Sequence, residues 1–232
     1  MTFALECPDR PTIPIAGSDD LFPVNRIFCV GRNYAAHARE MGHDPDREPP
    51  FFFLKPADTL LSGSSCMMAY PPRTADLHHE VELVVALQSG GRDIPVVDAL
   101  SHVFGAAVGL DLTRRDLQGI AKKAGRPWDL GKGFDGSALS GPIQRVSDGV
   151  SLTSGTISLL VNGTARQKGD LAMMIWSVAE TIAELSTYLT LKPGDLLYTG
   201  TPEGVAALAE GDRLEARIDG LPGLDVVISG SV

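Results

Sequence analysis

The chain has 232 residues, 44% of them hydrophobic and 21% charged, which is the composition of one ordinary globular domain and excludes a disordered or fibrous chain. Its formal net charge of −9 comes with no cluster of Lys and Arg, so no nucleic-acid partner and no anionic membrane surface is expected. An anionic small substrate stays open, because a bound cation and a few local Arg or Lys residues set the field inside a cleft whatever the surface charge.

The first residues lack the basic stretch and apolar run of a secretory signal, and no apolar run approaches membrane-spanning length, so a cytoplasmic protein is expected. Cys7, Cys29 and Cys66 are odd in number and carry no CxxC spacing; this fits a reducing compartment and argues against disulfides or zinc. Residues 1–24, rich in Pro, Asp and Gly, read as an irregular arm, and residues 25–232 as a single catalytic domain. Residues 26–30 predict a first strand ending at Gly31. A short helix over 33–41 leads into the polar, Pro-rich loop 42–50, and the two together suit a lid.

Residues 51–54, 81–87, 157–161, 195–199, 213–218 and 224–228 are β-branched or alternating and bounded by turn residues, which predicts strands. Asn162-Gly163 predicts a tight hairpin, since both residues tolerate positive φ. Helical spacing covers 96–105 and 172–189, with a third helix over 113–123. Regular βαβ alternation is absent, so the fold class expected is α+β and rich in strands.

Five segments could carry chemistry. Glu80 and Glu82 open an apolar strand two residues apart and therefore share one face. Paired carboxylates repel unless a cation sits between them, and oxygen ligands select Mg2+, Mn2+ or Ca2+ over zinc. On a solvated strand face the same pair is commonplace. Asp111 follows another apolar stretch and serves either as a third ligand or as the cap of the next helix, on which Arg115 and Gln118 lie three apart. His37 and Glu40, also three apart, could pair as a general base and its orienting acid, although an exposed His-Glu pair on a helix is ordinary. Lys132 between two glycines and Thr201 after Gly200 lie in segments where the backbone can approach a ligand closely.

Taken in order, these segments resemble the fumarylacetoacetate hydrolase family, in particular its short acylpyruvate and fumarylpyruvate hydrolase branch. The resemblance runs from about residue 26 to 218 and rests on 31–42, Phe53-Leu54-Lys55-Pro56, His78-His79-Glu80-x-Glu82, Leu110-Asp111-x-Thr113-x-Arg115-Asp116-x-Gln118, Lys132-x-Phe134 and Thr199-Gly200-Thr201-Pro202-x-Gly204-Val205. It implies the family's mixed β-sandwich roll, a homodimer, and Mg2+ or Mn2+ held by Glu80, Glu82 and Asp111. It also implies that His37 and Glu40 activate water, that Lys132 acts on the substrate, and that Lys55, Arg115, Gln118 and Thr201 contact it; Arg32, where many relatives have Lys or an apolar residue, is a further candidate contact. The small-molecule partner is then a 2,4-diketo acid whose carbon–carbon bond is hydrolysed, with fumarylpyruvate favoured. Arg32, Arg47 and Arg126 are candidates for its distal carboxylate. An oxaloacetate decarboxylase or tautomerase using the same metal site is the alternative.

Overall fold

A computed structural model describes residues 4–6, 9–35 and 48–230. Two sheets dominate it. The larger has eight strands, and its main path runs Phe51–Lys55, Ile27–Gly31, Leu196–Tyr198, Val81–Leu87, Val103–Asp111, Ala138–Ser140 and Leu60–Ser62. The smaller runs Thr164–Asp170, Thr156–Val161, Arg213–Ile218, Leu224–Ser229 and Ser65–Ala69. This mixed, strand-rich architecture is the expected α+β class.

Period-two alternation explains how the layers stack. In Val81–Leu87 the residues Val81, Leu83, Val85 and Leu87 enter one apolar cluster together with Leu159, Leu214 and Val226 of the smaller sheet. Val84 and Ala86 point the other way, into a second cluster with Ile27, Cys29, Ala107 and Tyr198. Both faces of the central strands are therefore buried, and Val81–Leu87 is buried at every position. Glu82 shares the face of Val84 and Ala86. On the neighbouring strand Asp111 shares the face of Ala107, and Cys29 pairs with Phe53 while Ile27 pairs with Lys55. The same arithmetic thus brings Glu82, Asp111, Phe53 and Lys55 to one side of one sheet.

The N-terminal stretch departs from the irregular arm expected of it. Thr12–Pro14 and Leu21–Pro23 pair antiparallel, and Ile13, Ile15, Phe22 and Val24 belong to the second apolar cluster. Four apolar side chains among polar turn residues suffice to seal that face of the sheet. The helix expected over 96–105 shrinks to Val96–Ala99 plus a 3-10 turn, and Val103–Asp111 is a nine-residue strand at the sheet centre. Its small residues allow the close approach: a Cβ on Gly105 would meet the carbonyl oxygen of Gln144 at 2.4 Å, and one on Gly109 would meet Val84 Cγ2 at 2.4 Å. The helix expected over 172–189 begins only at Val178, where Ser177 and Glu180 form a reciprocal capping box. Asn162 and Gly163 form the expected turn with φ of 52° and 75°.

Candidate active site and metal centre

Glu80, Glu82 and Asp111 converge in space, each offering a carboxylate oxygen within 4.8 Å of the others, and all three are buried. Sheet pairing sets this up. Glu82 lies opposite Gly109, and the Asp111 N–H donates to the Glu80 carbonyl at 2.9 Å, so the ends of two adjacent strands deliver the acids together. Asp111 is no helix cap: it ends its strand, and the helix Arg115–Lys123 starts with no side-chain cap.

Three cations answer the three acids. Lys132 Nζ donates to Glu80 Oε2 at 2.8 Å and Asp111 Oδ2 at 2.7 Å. Arg115 reaches Glu80 Oε1 at 2.5 Å and is itself oriented by Gln118 Oε1 at 2.8 Å. Lys55 pairs with Asp111 Oδ1 at 2.8 Å and donates to the backbone carbonyls of Leu112 and Lys132. Lys55 therefore sits behind Asp111 and is not among the residues lining the cleft. Among the described residues Glu82 receives only the Gly200 N–H, at 2.8 Å. Burial, reinforced by the Asp111 and Glu80 charges, pushes its pKa well above the usual carboxylate value. Burial alone would lower the Lys132 pKa, but the Asp111 and Glu80 charges outweigh it and raise it. Three oxygen donors of this kind, one of them poorly neutralised, fit a hard divalent cation such as Mg2+ or Mn2+ and offer zinc no nitrogen or sulfur.

Above the acids opens a cleft lined also by Arg32, Phe53, Gln118, Lys122, Trp128 and Thr201. Thr201 is fixed from behind. Gln167, buried between the two sheets, donates from Nε2 to Thr201 Oγ1 at 2.8 Å and accepts at Oε1 from the Val81 N–H and from His79 Nδ1. Since the Thr201 oxygen already accepts, its own proton is free to point into the cleft. Gln167 escaped the sequence reading, because nothing local distinguishes a buried Gln on an otherwise exposed strand, and His79 entered it only as part of the motif around Glu80.

Asn33 pins the rim. Its side chain donates to the carbonyls of Trp176 and Thr199 and accepts from the Trp176 N–H, at 2.7–2.9 Å. The Trp176 indole in turn donates to the Glu48 carbonyl at 3.0 Å. His37, Glu40 and Arg47 lie outside the described residues, as does most of the segment expected to be a lid. Arg126 is exposed and absent from the cleft lining, whereas Lys122, four residues earlier and unremarked in the sequence, lines it.

The family model for the fumarylacetoacetate (FAA) hydrolase C-terminal region matches residues 26–229. The chain belongs to the fumarylacetoacetate hydrolase family. A fumarylpyruvate hydrolase from Ralstonia sp is 43% identical over 190 residues, which is 81% of this chain and 98% of that protein. An oxaloacetate tautomerase from Escherichia coli strain K12 is 42% identical over 200 residues, 86% of this chain and 90% of that one. Among solved structures, fumarylpyruvate hydrolase from Pseudomonas aeruginosa in complex with Mn2+ and pyruvate matches with a TM-score of 0.96 and 50% identity, covering 98% of this chain and 99% of its own. The strand-rich fold of this family member thus has a close structural counterpart.

Proposed function

We propose that the protein hydrolyses the carbon–carbon bond of a 2,4-diketo acid, with fumarylpyruvate going to fumarate and pyruvate, and that Glu80, Glu82 and Asp111 hold Mg2+ or Mn2+ for this. The observation that carries the reading is the buried trio of carboxylates at the base of a cleft whose other charged side chains, among the described residues, are all cationic. The fumarylpyruvate hydrolase relatives support the substrate class. A bound cation would supply Lewis-acid stabilisation of negative charge developing on a 2-oxo acid, typically worth several kcal/mol.

The chain's own groups divide the remaining work. Arg115, held by Gln118, and the free proton of Thr201 orient the carboxylate and carbonyl of the substrate. Lys132 sits where it can neutralise an oxyanion forming beside the acids, and its raised pKa keeps it protonated for that task. His37, oriented by Glu40, deprotonates the attacking water, a contribution of about 100-fold to 10,000-fold. Lys55 supports the site by holding Asp111.

The test is loss of fumarylpyruvate absorbance on adding protein, abolished by EDTA and restored by Mn2+. No turnover under any metal condition would refute the reading. The Escherichia coli relative keeps a second reading alive, oxaloacetate tautomerisation, for which no water need be activated. Equal or faster turnover of oxaloacetate, retained in His37→Ala, would favour it. The proposal includes action as a homodimer in the cytoplasm during aromatic-compound breakdown; light scattering in solution tests the dimer.

A further inference from the structure

The metal carboxylates use Lys55, Arg115 and Lys132 as partners, which leaves two cations of the cleft, Arg32 and Lys122, with no bonded carboxylate among the described residues. An aromatic wall runs from Lys132 to Lys122. Lys132 Nζ lies 4.9 Å from the centre of the Phe53 ring, Phe53 and Trp128 are 5.8 Å apart between ring centres, and Lys122 Nζ lies 5.7 Å from the centre of Trp128. These two rings, inclined at 56° to each other, give an apolar wall against which an unsaturated chain can pack. Arg32 adds an independent sign. Its φ is 62°, a left-handed conformation that Gly or Asn adopts at little cost and Arg does not, and such strain persists mainly where the side chain is used. Both cations are half-buried, and burial together with the Arg32 and Arg115 charges lowers the Lys122 pKa, the mark of positive groups crowded without a counter-ion.

Resting on the function proposed above, we propose that Arg32 and Lys122 form a distal subsite that takes the terminal carboxylate of an unsaturated dicarboxylic acyl group lying along Phe53 and Trp128. These residues then set acyl specificity, while the acids and Lys132 hold the keto-acid end.

The experiment compares kcat/KM for fumarylpyruvate with that for acetylpyruvate, which lacks the distal carboxylate, in the metal-loaded wild type and in Lys122→Met, Lys122→Arg and Arg32→Asn. Asn tolerates the positive φ at position 32. The ratio should fall at least about tenfold in Lys122→Met and Arg32→Asn, and Lys122→Arg should restore most of it. Because the ratio is taken within one preparation, partial misfolding cancels. Ratios within about twofold of wild type in both charge-removing variants would overturn the subsite. Calorimetry with fumarate and crotonate, in which a methyl group replaces one carboxylate, needs no turnover. A clear preference for fumarate in wild type, lost in Lys122→Met, supports the subsite even if no diketo acid is hydrolysed, in which case only the function fails; equal binding of the two acids by wild type sinks the subsite alone.

Discussion

Lys55→Met offers the sharpest test of how the site is held. The ammonium is buried, with relative exposure of 2%, and bonds one carboxylate oxygen of Asp111 and two backbone carbonyls. Met fills similar volume but supplies no donor, so Asp111 keeps only Lys132 and two buried carbonyls lose a partner. Removing one member of a buried ion pair costs about 3–5 kcal/mol. For a chain of this length each kcal/mol corresponds to about 2–4 °C in Tm, so the metal-free variant should melt roughly 6–20 °C below wild type. Added Mn2+ should narrow the gap, because the variant site is one charge more negative and a ligand bound only by the folded state stabilises it. Differential scanning calorimetry with EDTA and with Mn2+ reads both numbers. A metal-free drop of under about 2 °C would refute the claim that Lys55 anchors Asp111.

Glu82→Gln should separate stability from function. Burial and neighbouring anions raise the Glu82 pKa above the usual 4.5, so in metal-free protein its ionised form costs stability as pH rises through and beyond 4.5. The neutral variant should then melt above wild type by a margin that grows with pH until Glu82 is fully ionised, while its Mn2+ affinity by calorimetry falls by about 100-fold or more; a margin shrinking with pH would contradict this. Gly109→Ala should cost about 1–3 kcal/mol, since its Cβ would meet Val84, the Leu139 carbonyl and Tyr198 at 2.4–3.0 Å, and denaturant unfolding reads the loss. His37→Ala should lose hydrolysis by about 100-fold to 10,000-fold with Mn2+ affinity unchanged; retained hydrolysis would place the base elsewhere.

What was legible in the sequence was whatever depends on local period. Val81–Leu87 and Arg213–Ile218 appear with the expected bounds, because unbroken β-branched or alternating runs leave few options. The acids at 80, 82 and 111 were visible because each stands beside an apolar strand it interrupts. Val103–Asp111 was hidden, since Gly and Ala advertise neither helix nor strand and its position is decided by what must approach it: Gln144, Val84 and Tyr198. Lys122 was hidden for a different reason. Seen along the helix it belongs to a solvated charge run with Lys123, and only the placement of Trp128 across from it turns it toward the cleft. Lys55 showed its importance but not its duty, because burial behind Asp111 is a tertiary fact.

The pinning of Asn33 and Glu48 to a single residue, Trp176, bears on how members of such a family can diversify. Asn33 meets the backbone of Trp176 and Glu48 meets its indole, so the two anchor points are fixed whatever the number of residues between them. Closing a flexible loop twice as long costs only about 0.6 kcal/mol more. Changes in the number of residues between the two anchors are thus cheap for the scaffold. Evolution, or an engineer, can lengthen or shorten the chain between those anchors around a retained His37 and Glu40 while the buried carboxylates and their three cations stay in place.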